Sequence, residues 1–180
     1  MDFSTPVQHQ APHVAKDETR KRARLILEDG TIFNGFCFGA PVSIAGEVVF
    51  NTGMVGYPES LTDPSYAGQL LTITYPLVGN YGVPDDSKMD EYGLPMKFES
   101  DKIHVRALIV SSYTPEPSHY ESVKTLGDWL LEQSVVGISD VDTRALAQHL
   151  SGAGSCLGKI VMDEEGKSKG YGFVQFERSE

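Results

Sequence analysis

Two cysteines and five histidines are the side chains with the clearest capacity for nucleophilic or metal chemistry. Cys156 and His149 are a candidate thiol nucleophile and base. Such a pair must lie close in space but need not lie close in sequence. A lone cysteine is more often a small buried apolar residue, and we favour that interpretation. The histidines follow no metal-ligand spacing. The sequence therefore predicts no catalytic residue, no metal site and no cofactor.

A glycine-rich stretch, GAGSCLG from Gly152 to Gly158, is similar in composition to a phosphate-binding loop. Such a loop follows a strand and precedes a helix, whereas here a predicted helix comes first. The pattern is more typical of a helix C-cap followed by a turn.

The segment from Gly46 to Gly82 contains the most specific candidate site. It predicts a strand, a glycine turn, a polar loop with Thr62, Asp63 and Ser65 around Pro64, a second strand and a second glycine loop. Loops that are stiffened by proline and carry hydroxyls suit recognition of a small polar ligand. Physical chemistry alone favours the simpler interpretation, in which DPSY is only a turn.

The stretch KGYGFVQF, from Lys169 to Phe176, fits the octamer of one central strand in an RNA-recognition motif. Alternation along a strand places Lys169, Tyr171 and Phe173 on one face, where a cation and two rings suit phosphate and base stacking. We therefore take these three as candidate RNA contacts. The rest of that fold is missing, and an isolated hairpin is a poor platform, so we expect weak RNA contact only.

Chain length and composition limit which of these interpretations can hold. The chain of 180 residues is long enough for one main domain, and its net charge of −10 opposes nucleic-acid binding. No apolar run is long enough for a membrane helix. Two cysteines are too few for a disulfide framework, and the first 22 residues lack both a secretory signal and an Arg-rich presequence. A cytoplasmic protein with a disordered N-terminal arm is expected.

Local patterns predict strands with interspersed helices. RLILE and TIFNGFCF flank the turn pair Asp29-Gly30 and predict a hairpin. Further strands are predicted at GEVVFNT, LLTITYP, VRALIVSSY and VVGI. The capping-box spacing of Ser118 and Glu121 predicts a helix through Gln133, and Asp140 or Asp142 caps a second helix, TRALAQHL, which Gly152 or Gly154 would end. The fold class is mixed α/β.

Several phrases together resemble the N-terminal domain of the small, glutamine-using chain of carbamoyl-phosphate synthase. They are LEDGTIFNGFCFG, AGEVVFNTGMVGYPESLTDPSY, LTITYPLVGNYGVP, MDEYGL, FES, GISDVDTRAL and GSCLGKI, in the family's order over about residues 24 to 161. The likeness is greatest to the version at the start of the eukaryotic pyrimidine-pathway multifunctional protein. It leaves open whether the parent enzyme serves pyrimidine or arginine synthesis.

The resemblance implies a three-layer β/β/α swivelling domain that packs on the synthetase (large) subunit and abuts a glutaminase domain. In the family, that glutaminase releases ammonia from glutamine, and the synthetase uses the ammonia with bicarbonate and ATP. By this resemblance, the serine of the DPSY phrase, here Ser65, is expected to contact the glutamine bound in the neighbouring glutaminase domain. The glutaminase sequence is absent after Val161, so we expect no glutamine hydrolysis by this chain alone.

We therefore predict three parts: an arm over 1–22, the synthase-type domain over 23–161, and a partial RNA-recognition-motif-like tail over 162–180. LGKIV should be a strand, and YGFVQF can pair back onto it as a C-terminal hairpin. The main functional alternative is an RNA-binding or regulatory fragment that acts through the tail.

Overall fold

A computed structural model describes residues 8–9, 20–53, 56–93, 95–153 and 156–163. Its elements are a mixture of strands and short helices, which confirms the mixed α/β class. The strands are β1 Gln8–His9, β2 Arg22–Leu27, β3 Ile32–Cys37, β4 Ile44–Asn51, β5 Leu70–Ile73, β6 Val83–Pro84, β7 Ala107–Val110, β8 Ser122–Lys124, β9 Val136–Ser139 and β10 Leu157–Met162. The helices are α1 Tyr57–Thr62, α2 Leu126–Glu132 and α3 Thr143–Ala153, with a 3-10 turn at Pro64–Tyr66.

The predicted β2–β3 hairpin is confirmed. Gly30 adopts a φ of 88°, and the Asp29 carboxylate accepts a hydrogen bond from the Thr31 amide at 2.9 Å. Glycine tolerates this left-handed conformation because it has no Cβ, and aspartate commonly accepts from the amide two residues on. The turn is therefore specified locally by its own residues.

The large sheet has eight strands in the order β1-β3-β2-β10-β4-β5-β7-β9, and it closes on itself through a further pairing of β3 with β9. β4, β5, β7 and β9 run parallel, whereas β10 is antiparallel to both of its neighbours, β2 and β4. A separate two-stranded sheet joins β6 to β8. The three-layer β/β/α arrangement itself stays a prediction.

Two apolar clusters cover the two faces of the central parallel strands. Leu70 of β5 belongs to the cluster that includes α3, and the next residue, Leu71, belongs to the cluster that includes α1 and α2. All four residues of β5, β7 and β9 are buried. Strands buried on both faces read as continuous apolar runs, which is why VRALIVSSY lacks alternation.

The helix predicted from Ser118 through Gln133 is present as α2, but it begins at Leu126, so the predicted start is wrong. Residues Ser122–Lys124 form β8, which pairs with β6, and Thr125 then caps α2 by accepting from the Asp128 amide at 3.0 Å. The Ser118 amide donates to the Asn80 carbonyl oxygen, which ties this stretch to a distant loop. Tyr120 is 89% exposed and therefore contributes nothing to a helical apolar face.

For α3, the structure selects one of the two expected caps. The Asp142 carboxylate accepts from the Ala145 amide at 2.9 Å, as an N-cap side chain does. Asp140 instead adopts a φ of 62° and pairs with Arg20 at 2.7 Å. Gly152 lies within the helix, which runs to Ala153, and does not end it.

The N-terminal arm differs in part from the sequence expectation. Within the arm expected to be disordered, Gln8–His9 pair in parallel with Ile32–Phe33, and Arg22 is the first residue of β2. The rest of 1–19 lies outside the described residues. So do residues 164–180, which include the candidate RNA contacts Lys169, Tyr171 and Phe173.

The tail was expected to pair back onto LGKIV as a hairpin. That stretch does form β10, but β4 pairs with it over Leu157–Ile160 and β2 pairs with it over Gly158–Met162. Both edges of β10 are thus paired over most of its length, but YGFVQF lies outside the described residues, so the hairpin stays a prediction. β2 begins at Arg22 and β10 ends at Met162. These strand bounds do not test the predicted domain limits of 23 and 161.

Candidate functional site

The candidate site lies where the parallel strands β4 and β5 end side by side. Asn51, the last residue of β4, is in register with Ile73, the last residue of β5. Carboxyl ends of adjacent parallel strands are common binding positions, because the loops that follow them meet at one edge. The two loops here are 52–69, which includes α1 and Ser65, and 74–82, which we call the first and second site loops.

Asn51 connects the strand end to the first site loop. Its side-chain nitrogen donates to the Ser60 hydroxyl at 3.2 Å and to the Tyr66 hydroxyl at 3.3 Å. Its side-chain oxygen accepts from the Gly53 amide at 2.6 Å. One amide side chain thus fixes three points of the loop. Sequence analysis missed this residue, although an asparagine between a strand and a glycine is a typical sign of loop-organising hydrogen bonds.

Ser65 lies on the 3-10 turn Pro64–Tyr66 and is exposed. The Asp63 carboxylate accepts the Ser65 amide at 2.8 Å. The pKa of the Asp63 carboxyl is lowered, chiefly by this amide, then by the Ser65 hydroxyl. Pro64 presets the backbone φ of the turn. The DPSY phrase is therefore both a turn and the element that presents a hydroxyl to solvent.

Thr62 anchors the base of the same turn in the protein. It is 1% exposed, and its hydroxyl donates to the Pro58 carbonyl at 2.8 Å and accepts from the Glu99 amide at 2.9 Å. Its carbonyl oxygen accepts from the Ser100 hydroxyl at 2.7 Å. The sequence placed Thr62 in a polar loop, whereas the structure makes it the last residue of α1, with internal partners for its hydroxyl and its carbonyl oxygen.

The second site loop is joined to the first by two tyrosines. The Tyr81 hydroxyl accepts from the Gly56 amide at 3.1 Å and from the Tyr57 amide at 3.2 Å. Gly56 has a φ of 86°, a conformation that suits glycine, and it precedes Pro58 in the first turn of α1. These contacts hold the start of α1 against the second loop.

A shallow cleft opens between the two loops. It holds about 10 Å³, and its lining combines polar and apolar groups from Asn51, Gly53, Tyr57, Ser60, Ile73, Tyr75, Leu77 and Val78. That volume is roughly what one water molecule needs, whereas small-molecule sites occupy about 300 Å³ or more. Ser65 is not part of the lining. The cleft is therefore better suited to complete a binding site on a partner than to enclose a free ligand.

The cysteine and histidine candidates do not form a nucleophile and base. The Cys156 side chain is buried, and burial raises the pKa of its thiol, with Glu28 and Asp29 adding to the effect. His149 instead contacts the Asp29 carboxylate at 2.9 Å. Burial also raises the pKa of Cys37. Raised thiol pKa values disfavour the thiolate, the reactive form.

Within the described ranges, no cluster of three or more His, Cys, Asp or Glu side chains is placed to hold a metal ion. No helix in the same part of the chain is long and apolar enough to cross a membrane. Among the described residues, the site thus consists of hydroxyls, amides and one carboxylate on loops that hydrogen bonds hold together.

Comparison with known families decides what kind of domain carries this surface. The model of the family described as carbamoyl-phosphate synthase small chain, CPSase domain, matches residues 25–160. The chain belongs to this family. The match includes both site loops and all strands of the closed sheet except β1 and the terminal residues of β2 and β10.

Named relatives agree with the carbamoyl-phosphate synthase assignment. Multifunctional protein URA2 of Saccharomyces cerevisiae is 54% identical over 147 residues, which are 81% of this chain and 7% of that protein. The carbamoyl phosphate synthase arginine-specific small chain of Eremothecium gossypii is 51% identical over 153 residues, 85% of this chain and 38% of the relative. The mitochondrial carbamoyl-phosphate synthase [ammonia] of Mus musculus is 50% identical over 148 residues, 82% of this chain and 10% of the relative. The chain thus spans well under half of the length of these relatives.

Proposed function

We propose that this chain acts as the N-terminal domain of the small chain of a glutamine-dependent carbamoyl-phosphate synthase. In this role it supports glutamine use and ammonia transfer without catalysing either reaction alone. The family match over residues 25–160 is the observation that carries the proposal. The exposed Ser65 turn, whose amide is held by the Asp63 carboxylate, supports the choice of this surface.

The proposed partners are a glutaminase domain and a synthetase subunit. Nucleophilic release of ammonia from glutamine needs an activated thiol or hydroxyl with a base. Cys37 and Cys156 both have raised thiol pKa values. A partner must therefore supply the nucleophile, and a second partner must consume the ammonia.

Ser65 is proposed to contact glutamine that is bound mainly by the glutaminase partner. The cleft beside Asn51 is too small to enclose glutamine, so most of the ligand must be held elsewhere. An exposed hydroxyl on a fixed turn can add one hydrogen bond across the domain boundary. Membership of the family alone does not imply this contact, since one relative is named for ammonia.

The pathway stays open between pyrimidine and arginine synthesis. Identities of 54% to the multifunctional URA2 protein and 51% to the arginine-specific small chain are too similar to choose between the two kinds of relative. We propose a cytoplasmic location, which stays a prediction.

The decisive experiment reconstitutes the complete chain with a glutaminase domain and a synthetase subunit from a relative. Carbamoyl phosphate formation is then measured with glutamine and, separately, with ammonia as nitrogen donor. Ser65→Ala should raise the KM for glutamine about 2- to 10-fold, as expected for one hydrogen bond of about 0.5–1.5 kcal/mol. The rate with ammonia should not change, because ammonia bypasses the glutamine site.

Ser151→Ala is the matched control. Ser151 is an exposed serine on α3 whose hydroxyl donates to the Ala147 carbonyl of the same helix at 2.8 Å. It should leave both activities unchanged. An unaltered glutamine KM in Ser65→Ala would show that Ser65 has no role, and a complex that uses glutamine equally well without this chain would refute the proposed function.

RNA contact by Lys169, Tyr171 and Phe173 stays a prediction from the sequence. It is tested by titrating the intact chain into labelled RNA at two salt concentrations, since phosphate contacts weaken as salt rises. Replacing both Tyr171 and Phe173 with alanine should reduce any such binding, and equal binding by the double variant would exclude the stacking role.

A further inference from the structure

Arg20 connects the N-terminal arm to the two strands that close the sheet. Its guanidinium donates to the Ser139 hydroxyl at 2.6 Å and to the Asp140 carboxylate at 2.7 Å. The same group lies over the Phe36 ring, 4.7 Å from the ring centroid. A planar guanidinium can form an ion pair with its edge while its face stacks on an aromatic ring. One side chain therefore contacts β3, through Phe36, and β9, through Ser139.

These contacts lie at one end of the pairing between β3 and β9, which we call the seam. The seam begins with Phe36 in register with Ser139. Farther along it, the Phe38 amide donates to the Gly137 carbonyl oxygen at 2.9 Å. The ends of a strand pairing open more readily than its middle. A contact at Phe36 and Ser139 is therefore placed to keep the end of the seam from opening.

The residue that follows β9 presents its carboxylate to Arg20. Asp140 has a φ of 62°, which aspartate tolerates better than most residues with a Cβ. Its carboxylate also accepts from the Ser139 hydroxyl at 3.0 Å, so the three side chains form one network. The Arg20 and Asp140 side chains are only 30% and 17% exposed. Solvent therefore screens this ion pair less than it screens one on the open surface.

We propose that Arg20 is a strap that holds the end of the seam closed. The domain then begins at Arg20, within the arm, and not at the predicted limit of residue 23. Loss of the strap lets β3 and β9 separate locally at Phe36 and Ser139 while the central parallel strands stay paired. This role does not depend on the proposed function, because neither strand belongs to the two site loops.

Hydrogen exchange of the intact chain, followed by NMR, tests the proposal under conditions in which the rate reports the opening equilibrium. Arg20→Ala should speed exchange of the Phe38 amide by about 5- to 50-fold, since a partly buried, charge-assisted contact is lost. The Met96 amide should exchange at an unchanged rate. It donates to the Lys88 carbonyl oxygen in the loop between β6 and β7, which can open without disturbing the Arg20 contacts. Equal Phe38 exchange in the parent chain and in Arg20→Ala would overturn the strap.

Lys21→Ala is the matched control, because it removes the neighbouring positive charge from an exposed side chain. It should leave Phe38 exchange unchanged. Arg20→Lys keeps the charge but lacks the planar fork, so it should restore the Phe38 rate only in part. A Lys21→Ala effect as large as that of Arg20→Ala would mean that the net charge of the arm acts on the seam, and the strap would be refuted.

A double-mutant cycle tests whether Arg20 acts through Asp140. Asp140→Asn removes the charge but keeps a residue type that tolerates the positive φ. It should speed Phe38 exchange in the parent chain and add little in the Arg20→Ala background, whereas fully additive effects would refute the ion pair as the basis of the strap. If Arg20→Ala does not fold, the unaltered chain decides. Raising the salt concentration should then speed Phe38 exchange and leave Met96 exchange unchanged, and a salt-independent Phe38 rate would contradict the proposal.

Discussion

Tyr57 and Tyr81 stack with their ring centroids 4.1 Å apart, and each hydroxyl bonds to the backbone of the other residue's loop. The Tyr57 hydroxyl donates to the Gly82 carbonyl at 2.6 Å, while the Tyr81 hydroxyl accepts from the Gly56 and Tyr57 amides. Burial raises the pKa of the Tyr57 hydroxyl, so it stays protonated and able to donate. The pair therefore fixes the distance between the two site loops.

Tyr57→Phe should lower the free energy of unfolding by about 1–3 kcal/mol, because it leaves the Gly82 carbonyl without this buried donor. Chemical denaturation of the intact chain measures the change. Tyr92→Phe, at a tyrosine that is 80% exposed, is the control and should change stability by less than about 0.5 kcal/mol. Equal stability of the two variants would mean that the hydroxyl bond contributes nothing.

Thr125→Ala should destabilise the protein by about 1 kcal/mol, the usual cost of losing an N-cap. The reason is that the Thr125 hydroxyl accepts from the Asp128 amide at the observed start of α2. Ser118→Ala, at the start predicted from the sequence, should be nearly silent because Ser118 is exposed and precedes β8. Thermal unfolding of both variants compares the two positions, and a larger loss for Ser118→Ala would contradict the observed helix start.

Gly39→Ala should be strongly destabilising, by about 1–3 kcal/mol or more. A Cβ at Gly39 would lie 2.7 Å from both the Gly137 nitrogen and the Val135 carbonyl oxygen, and backbone atoms cannot easily move away. Gly152→Ala is the opposite case: it lies in α3 with nothing within 4 Å of the added carbon. Alanine there should stabilise by roughly 0.5 kcal/mol through its higher helix propensity. Denaturation midpoints that move in the same direction for both variants would refute this packing.

The thiols of Cys37 and Cys156 should react with iodoacetamide more slowly than free cysteine at neutral pH. Burial raises the pKa of both, so less thiolate is present at pH 7. The reaction rate should approach that of free cysteine in denaturant. In the same preparations, the chain alone should release no ammonia from glutamine. Rapid alkylation of one thiol in the folded chain, or measurable ammonia release, would contradict the expectation that neither thiol is an activated nucleophile.

Features that depend on neighbouring residues were predictable from the sequence. The Asp29-Gly30 hairpin, the capping of α3 by one of Asp140 and Asp142, and the turn around Pro64 each arise from side chains that bond to backbone within three residues; the structure was needed to choose Asp142. The family assignment was equally accessible, because the matching phrases extend over most of the chain and are confirmed over residues 25–160.

The start of α2 was not predictable in the same way. Local spacing favoured a helix from Ser118, but pairing of β8 with β6, about 40 residues earlier in the chain, offered that segment strand partners instead. Contacts between distant segments override weak local preference, and no pattern within residues 118–125 reveals them.

Residue patterns alone were enough to identify the domain family, to locate its main strands and to place Ser65 in a proline turn. The closure of the sheet through β3 and β9, and the contacts of Asn51 with both Ser60 and Tyr66, became known only from the folded chain. The two groups of features differ in the sequence separation of the residues that form them. Turns and caps are satisfied by adjacent residues, whereas sheet closure and the support of the Ser65 turn need groups that meet only after the chain has folded.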